Sequence, residues 1–257
     1  MIFKGWQKES FIEWPGKITT VVFVGGCNFC CPFCYNRTLV LHPQELPDID
    51  EKEILQYLEE NKKMIEGMVI TGGEPLALLK IKNQKSIPTS MSRNPDRSAG
   101  EIKNDLINFI KKVKELGLSV GIETNGTNPA SLEYLIKNKL IDYAAMDIKA
   151  PLESVKYKQL SQRSVNLEDI KKSIKMIIAS KLDYEFRTTV VPGLLDQDDI
   201  LKIAKQIKGA KKYALNQFEP KDVIDKKTGL IKPYSKKWFN ETIKKIKPYC
   251  SQVEARI

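Results

Sequence analysis

Four of the five cysteines lie within eight residues, in the sequence GGCNFCCPFCYN. They are Cys27, Cys30, Cys31 and Cys34, whereas Cys250 lies far away. In a chain expected to fold in a reducing compartment, clustered cysteines favour metal binding over disulfides. A structural zinc ion takes four ligands in a tetrahedron, usually from two separated pairs, so four thiolates in one short loop would be cramped around it. Three thiolates at offsets of four and three residues, from Cys27, Cys31 and Cys34, can instead hold one face of a [4Fe-4S] cluster and leave the fourth iron open.

The remaining cysteines and the single histidine limit the other chemistry. If three cysteines hold a cluster, Cys30 is an extra thiol beside it and Cys250 is a structural or surface thiol. Two spare cysteines are too few for a second cluster with thiolate ligands only, which argues against enzymes that carry auxiliary clusters. His42 has no motif around it and is expected on the surface. One histidine excludes a multi-histidine metal site, and acid–base catalysis by histidine is not expected.

The composition is that of a globular protein with a basic surface. The chain has 257 residues, of which 42% are hydrophobic and 29% charged, and these values exclude wholesale disorder. It lacks a run of about 20 apolar residues and an apolar leader, so we expect no membrane span and a cytoplasmic location. Its 42 lysines and arginines against 32 acidic residues give a net charge of +10, which suits an acidic partner but is more simply explained by a lysine-rich surface.

Strand-like and helix-like segments alternate along the chain. Strands are predicted at 18–24, 68–71, 118–123, 143–148, 184–191 and 212–218, with a closing strand at 252–257. Helices are predicted at 51–66, 101–116, 130–139, 167–180, 197–207 and about 235–247. Six strand-then-helix units predict an α/β fold with a parallel sheet, in a single domain over 1–257. The length favours a partial (β/α)6 TIM-like barrel, and the alternative is an open doubly wound sheet.

Polar side chains follow the ends of these predicted strands. They lie in the segment GGCNFCCPFCYN at 25–36, called here the cysteine loop, and at 72–75, 123–125, 147–149, 187–193 and 216–217. Because the carboxyl ends of parallel strands share the face of a barrel where active sites gather, we expect these segments to converge. Each has a simpler explanation when taken alone: 72–75 as a tight turn, Glu123 and Asp147 as capping carboxylates, and Lys149 as a surface lysine. Their shared position favours a functional site.

The cysteine loop resembles the signature of the radical S-adenosylmethionine (SAM) superfamily, C-x3-C-x-Φ-C, in which the aromatic residue Φ is here Phe33. The segments ITGGEP (70–75), ETNG (123–126), MDIKAP (146–151), RTTVVPG (187–193) and LNQF (215–218) occur in the order seen in glycyl-radical-enzyme activases. The opening SFIEWPGKITTVVFVGGCNF (10–29) is similar to the activating proteins of anaerobic ribonucleoside-triphosphate reductases, and pyruvate formate-lyase activating enzyme is similar in the same blocks. The resemblance covers nearly the whole chain except about 79–100.

This resemblance implies a role for each matching residue. Cys27, Cys31 and Cys34 would hold a [4Fe-4S] cluster whose open iron binds the amino and carboxylate groups of SAM. The other implied SAM contacts are Gly72, Gly73 and Glu74 at the methionyl ammonium, the backbone of Phe33 and Tyr35 near the adenine, Asp147 and Lys149 near the ribose and carboxylate, Arg187 as a helper, Asn216 or Gln217 at the nucleoside, and Thr124 and Asn125. Lys149 is also placed among the catalytic residues. A monovalent cation is implied near Glu123, Thr124 and Asp147, although Glu123 replaces the Asp of the relatives.

The implied reaction is reductive cleavage of SAM, followed by hydrogen abstraction from a backbone glycine of a partner enzyme. That partner would be an anaerobic ribonucleoside-triphosphate reductase, and a ferredoxin or flavodoxin would donate the electron. Tyr35 departs from the family, which usually has His after the third cysteine. The polar insertion at 83–100 either contacts the protein substrate or is merely tolerated.

Three alternatives remain open at this stage. The first is a radical SAM enzyme that modifies a nucleoside, tRNA or another small substrate. A nucleic-acid substrate would explain the +10 charge as a binding footprint, although no RNA-binding module is visible and nucleic acid is not expected as a partner. A peptide-modifying enzyme with auxiliary clusters is largely excluded by the cysteine count. A zinc-binding protein without catalytic activity is the third.

Overall fold

The computed structural model describes residues 1–79 and 102–257. The insertion predicted at 83–100 lies outside the described residues. The strands are β1 (Ile2–Phe3), β2 (Gly5–Ser10), β3 (Thr19–Val24), β4 (Ile49–Asp50), β5 (Gly67–Gly72), β6 (Ser119–Thr124), β7 (Tyr143–Asp147), β8 (Asp183–Val190), β9 (Lys212–Gln217) and β10 (Gln252–Arg256). The α-helices are α1 (Arg37–Leu41), α2 (Glu51–Asn61), α3 (Ile102–Glu115), α4 (Pro129–Lys137), α5 (Ser154–Ser161), α6 (Leu167–Ala179), α7 (Gln197–Gln206) and α8 (Lys236–Ile246).

The chain divides into two compact units, the first of which comprises Met1–Asn28, Thr38–Thr124 and Ala130–Ala144. Its sheet has the strand order β2-β3-β5-β6, with β2 antiparallel to β3 and the other strands parallel. The apolar, β-branched sequences of β3 and β5 are almost entirely buried, as expected for parallel strands. The register pairs Val24 with Gly72, so β3 and β5 end side by side. In this unit the beginning of the cysteine loop and the GGEP segment therefore lie at the same level.

The second unit comprises Phe29–Arg37, Asn125–Pro129 and Ala145–Ile257. Its parallel strands follow the order β8-β9-β10, and β7 begins in the first unit and ends in the second. The register aligns Thr189 with Asn216 and Asn216 with Arg256. Residues that are aligned across neighbouring strands point to the same face of a sheet, so these three side chains share one face. The closing strand predicted at 252–257 is observed as β10.

The helices carry the expected end signals. In α2, α6, α7 and α8 the side chain of the N-cap residue accepts a hydrogen bond from a backbone N–H of the first turn; these N-cap residues are Asp50, Asn166, Asp196 and Ser235. In α7 the cap is a reciprocal capping box with Asp199. Each of these helices turns apolar residues inward, which covers the sheet. None of the described helices is long and apolar enough to cross a membrane.

The sequence-based prediction missed several elements. The short helices α1 and α5 and the strands β1, β2 and β4 were not predicted. The sequence of β2, GWQKES, is mostly polar and half of its residues are exposed, because among the described strands it pairs only with β3. Such a strand lacks the apolar alternation by which strands are identified. The helix predicted at 51–66 ends earlier, at Asn61, whose side-chain amide donates to the carbonyl of Tyr57.

Candidate functional site

In the first unit, the GGEP segment is bonded to the start of the cysteine loop. The amide of Gly73 donates to the carbonyl oxygen of Val24, and that of Glu74 to the carbonyl of Gly26, both at 2.9 Å. A Cβ atom added at Gly73 would lie 1.6 Å from the Gly26 oxygen. At Gly72, φ is +117° and an added Cβ would lie 2.5 Å from backbone atoms of Val24. Both glycines therefore allow a backbone approach that no other residue permits.

Two of the predicted site residues meet in this unit. Glu74 is buried, and its Oε1 accepts hydrogen bonds from the amide of Leu76 at 3.1 Å and from the hydroxyl of Thr124 at 2.8 Å. The first bond makes Glu74 the cap of the following 3₁₀ turn, Pro75–Leu78. Glu123 accepts a hydrogen bond from the hydroxyl of Thr71 at 2.6 Å. The carboxylates of Glu74, which follows β5, and of Glu123, near the end of β6, thus each accept a hydrogen bond from a hydroxyl on a neighbouring segment.

In the second unit, backbone hydrogen bonds fix the rest of the cysteine loop. The amide of Cys34 donates to the carbonyl of Cys31 at 3.0 Å, which closes a turn between two predicted ligands. The amide of Cys30 donates to the carbonyl of Ser161 at 2.9 Å. On another side, the amide of Ile224 donates to the Cys34 carbonyl at 3.1 Å. Cys31 is buried, whereas Cys30 and Cys34 are half-buried.

Lys149 places a positive charge beside these thiols. Its Nζ lies 2.7 Å from a carboxylate oxygen of Asp147. Burial favours the neutral amine, but the charges of Asp147 and of the Cys31 and Cys34 thiolates outweigh it and raise the pKa of Lys149. Burial raises the pKa of Cys31 to about 12, and the Lys149 charge opposes this rise. Lys149 is therefore half-buried and ionised, not the surface lysine of the simpler explanation.

Arg187 belongs to a buried network of charges that sequence analysis missed. Its Nε donates to the carboxylate of Glu185, which also accepts hydrogen bonds from both terminal nitrogens of Arg256, at 2.8 and 2.7 Å. Burial opposes ionisation of Glu185, yet the hydrogen bonds and charges of Arg256 and Arg187 lower its pKa to about 2. The amide of Ile148 donates to the carbonyl of Arg187 at 2.8 Å, so this part of β8 runs beside the Asp147–Lys149 pair. Charges at alternate positions of a buried strand, Glu185 and Arg187, were the available signal.

Asn216 and Gln217 have buried amide oxygens at the end of β9. Neither oxygen has a hydrogen-bond partner within residues 1–79 and 102–257. Buried polar atoms are nearly always bonded, so an unsatisfied oxygen points to a ligand or an ordered water. The two residues are consecutive in a strand, so their side chains lie on opposite faces, and Asn216 shares the face of Arg187 and Arg256.

The other predicted residues occupy varied settings. Phe33 is buried in the cysteine loop, whereas the Tyr35 side chain is 66% exposed. Asn125 is buried and accepts hydrogen bonds from the amide and hydroxyl of Thr127 at 3.1 and 2.7 Å. His42 is exposed, in agreement with its prediction as a surface residue, and Cys250 is buried.

The chemistry of the donor set fits a [4Fe-4S] cluster, whose irons take thiolate ligands. Among the described residues, no three side chains of His, Cys, Asp or Glu gather closely enough to hold a single metal ion. The thiolates of a [4Fe-4S] cubane each bind a different iron, so its ligands need not converge on one point. A cluster fits the three thiols of one short loop, two of which have a protonated lysine beside them. A polar nucleoside ligand fits the unsatisfied amide oxygens in the second unit.

Comparisons with known proteins agree with this chemistry. The family model of the Radical SAM superfamily matches residues 21–213. A proposed glycyl-radical enzyme activating enzyme of Methanocaldococcus jannaschii is 33% identical over 251 residues, which cover 96% of this chain and 92% of the relative. A second protein of that organism with the same description is 27% identical over 212 residues, covering 79% of this chain and 68% of its own.

A solved structure shows the same fold. SuiB of Streptococcus suis, bound to its precursor peptide SuiA, matches with a TM-score of 0.63 at 15% identity, covering 91% of this chain and 47% of SuiB. The chain spans about half the length of that protein, and the likeness concerns the fold alone. The predicted fold class, an α/β partial barrel of the radical SAM type with a mostly parallel sheet, is confirmed. The chain belongs to the radical SAM superfamily.

Proposed function

We propose that this protein is a glycyl-radical enzyme activating enzyme. The observation that carries the proposal is the 33% identity to the proposed activating enzyme of M. jannaschii over 96% of the chain. Membership of the superfamily implies a [4Fe-4S] cluster and SAM. When bound, they supply one-electron reductive cleavage of SAM and, from it, hydrogen abstraction from a carbon atom, here a backbone glycine of the partner.

The residues of the cysteine loop have the first task in this proposal. Cys27, Cys31 and Cys34 hold the cluster. Because burial raises the pKa of Cys31 to about 12, its thiolate needs compensating charge, which the irons and the ammonium of Lys149 provide. The apolar surroundings of the loop, including buried Phe29 and Phe33, exclude water from the reacting groups.

The strand ends orient SAM. The buried carboxylate of Glu74 with the backbone of Gly72 and Gly73 receives the methionyl ammonium, and Asp147 and Lys149 receive the ribose and the carboxylate. Arg187 is the second cation for that carboxylate, and Asn216 faces the nucleoside from the same side of β9. The backbone of Phe33 and Tyr35 lies near the adenine, and the remaining predicted SAM contacts of this proposal are Thr124, Asn125 and Gln217, of which Gln217 lies on the opposite face of β9 from Asn216.

The finer parts of the proposal concern partners. The glycyl-radical enzyme is an anaerobic ribonucleoside-triphosphate reductase, and a ferredoxin or flavodoxin supplies the electron. The chain acts as one radical SAM domain. A monovalent cation near Glu123, Thr124 and Asp147 stays a prediction. It is tested by comparing the rate of SAM cleavage in potassium and in tetramethylammonium salts.

Anaerobic reconstitution tests the chemistry. The protein with iron, sulfide, reductant and SAM should release 5′-deoxyadenosine, and Cys31→Ala should abolish it. Cys250→Ala removes an equally buried thiol outside the cysteine loop and should retain the activity. A colourless, zinc-loaded protein that releases no 5′-deoxyadenosine would contradict the assignment to radical SAM chemistry. Electron paramagnetic resonance of a mixture with an anaerobic reductase should then show a glycyl radical, and product without this signal would contradict the partner alone.

A further inference from the structure

The segment between β9 and α8, residues 218–235, supports the cysteine loop from outside. Its Ile224 amide donates to the carbonyl of Cys34 at 3.1 Å, and its Asp225 amide donates to the carbonyl of Pro32 at 3.0 Å. The carboxylate of Asp225 is held in turn by the hydroxyl of Thr228 at 2.9 Å and the amide of Lys227 at 3.1 Å. The backbone of this segment is thus hydrogen-bonded directly to the backbone of a predicted cluster ligand, Cys34.

The outer side of this segment combines apolar and basic groups. Leu230 is 86% exposed, and Tyr35, which follows Cys34 directly, is 66% exposed. Exposed lysines flank Leu230 in the sequence, at positions 221, 226, 227 and 232. Within residues 218–235 four lysines stand against three carboxylates, one of which, Asp225, is engaged within the segment, and two further lysines begin α8. Large exposed apolar side chains with a charged rim are typical of transient interaction sites.

We propose that this surface, formed by Tyr35, Lys226, Lys227, Leu230 and Lys232 and called here the basic surface, docks the reduced electron-donor protein. The proposal rests on the proposed function, since radical SAM chemistry needs an external electron. One electron leaves the reduced carrier of the donor and enters the cluster. The donor is oxidised by one electron, the cluster is reduced by one, and no bond is made or broken at this surface.

Position and charge favour this occupant. A donor seated on the basic surface lies next to the backbone of Cys34, so the protein layer that the electron crosses is thin. The partner that carries the glycine must instead present a carbon atom to SAM. The lysines select a donor with an acidic face, and such complementarity raises the association rate of weak, short-lived complexes. A small apolar centre suits electron-transfer partners, whose interfaces lie at the low end of the size range.

Charge reversal at the basic surface tests the proposal. The double variant Lys226→Glu/Lys227→Glu is compared with Lys244→Glu/Lys245→Glu, which makes the same charge change at exposed positions of α8. The reconstituted enzymes are assayed for 5′-deoxyadenosine with reduced flavodoxin or ferredoxin, and separately with photoreduced deazaflavin. We expect the first variant to lose about tenfold in rate with the protein donors at low salt, and less than twofold with deazaflavin. The control should lose less than twofold with either reductant.

Direct binding gives a second readout. The Kd of oxidised flavodoxin or ferredoxin, measured by calorimetry on the protein before and after cluster reconstitution, should rise about tenfold in Lys226→Glu/Lys227→Glu only. The difference should shrink at high ionic strength, since exposed charges are screened. Equal losses with protein donors and deazaflavin, equal losses in both variants, or unchanged rates and Kd would each overturn the proposal. A loss confined to glycyl-radical formation would assign the surface to the glycyl-radical enzyme instead. Both readouts are independent of the partner enzyme, so failure of the activase assignment remains separately visible.

Discussion

Replacing Glu185 with Gln should destabilise the protein by removing the central anion of a buried network. The Glu185 side chain is 1% exposed and contacts Arg187, Arg256 and Lys212. The amide of Gln keeps the volume but removes the negative charge, and it leaves Lys212 and Arg256 with Glu254 as their neighbouring carboxylate. Breaking a buried ion pair by removing one partner costs about 3–5 kcal/mol, because the remaining charge is uncompensated.

The pKa of Glu185 gives an independent magnitude. It falls from 4.5 to about 2, a difference of about 2.5 units. At about 1.36 kcal/mol per unit, the ionised network contributes about 3 kcal/mol at neutral pH. Because the folded pKa is depressed, this contribution is complete above pH 4.5 and is lost as the pH falls toward 2. At pH 3 it should be roughly 1 kcal/mol.

Urea unfolding of the cluster-free protein measures both effects. Glu185→Gln should lower the free energy of unfolding by about 3 kcal/mol at pH 7, and the difference from wild type should narrow at pH 3. Glu254→Gln is the matched control, since Glu254 contacts Arg256 and Lys212 but is 41% exposed, so its loss should cost less than about 1 kcal/mol. Equal costs for the two variants, or a Glu185→Gln effect that does not change between pH 7 and pH 3, would refute the reasoning.

Three further predictions concern the site. Gly73→Ala should prevent the strand end from closing on the cysteine loop and so lower iron retention severalfold, whereas Gly5→Ala, where the new Cβ meets the nearest atom at 3.2 Å, should retain iron. Lys149→Met should weaken SAM binding about tenfold or more in equilibrium dialysis, since charge-assisted hydrogen bonds contribute about 1.5–3 kcal/mol, and unchanged affinity would exclude the contact. Asn216→Ala should weaken SAM binding more than Gln217→Ala, because the two amides lie on opposite faces of β9; the reverse order would move the nucleoside to the other face.

The parallel strands could be predicted from the sequence because their signals are local. β3, β5 and β8 are runs of β-branched and aromatic residues, and the polar residues that follow them mark their ends. The network around Glu185 could not be predicted in the same way. Its partner Arg256 is 71 residues further along the chain, and only the strand order β8-β9-β10 brings the two together.

The supports of the cysteine loop show a second limit, which concerns backbone chemistry. Glu74 and Ile224 do the same work in their own units, since each donates its amide to a loop carbonyl, of Gly26 and Cys34 respectively. The first was visible because it lies in a glycine motif whose close approach tolerates no Cβ. The second was invisible because a backbone N–H is common to every residue except proline, so its donor carries no side-chain signature. Residues that hold a site through their backbone are therefore found by structure, and substitutions there act by moving the chain, as Ile224→Pro would by removing the donor.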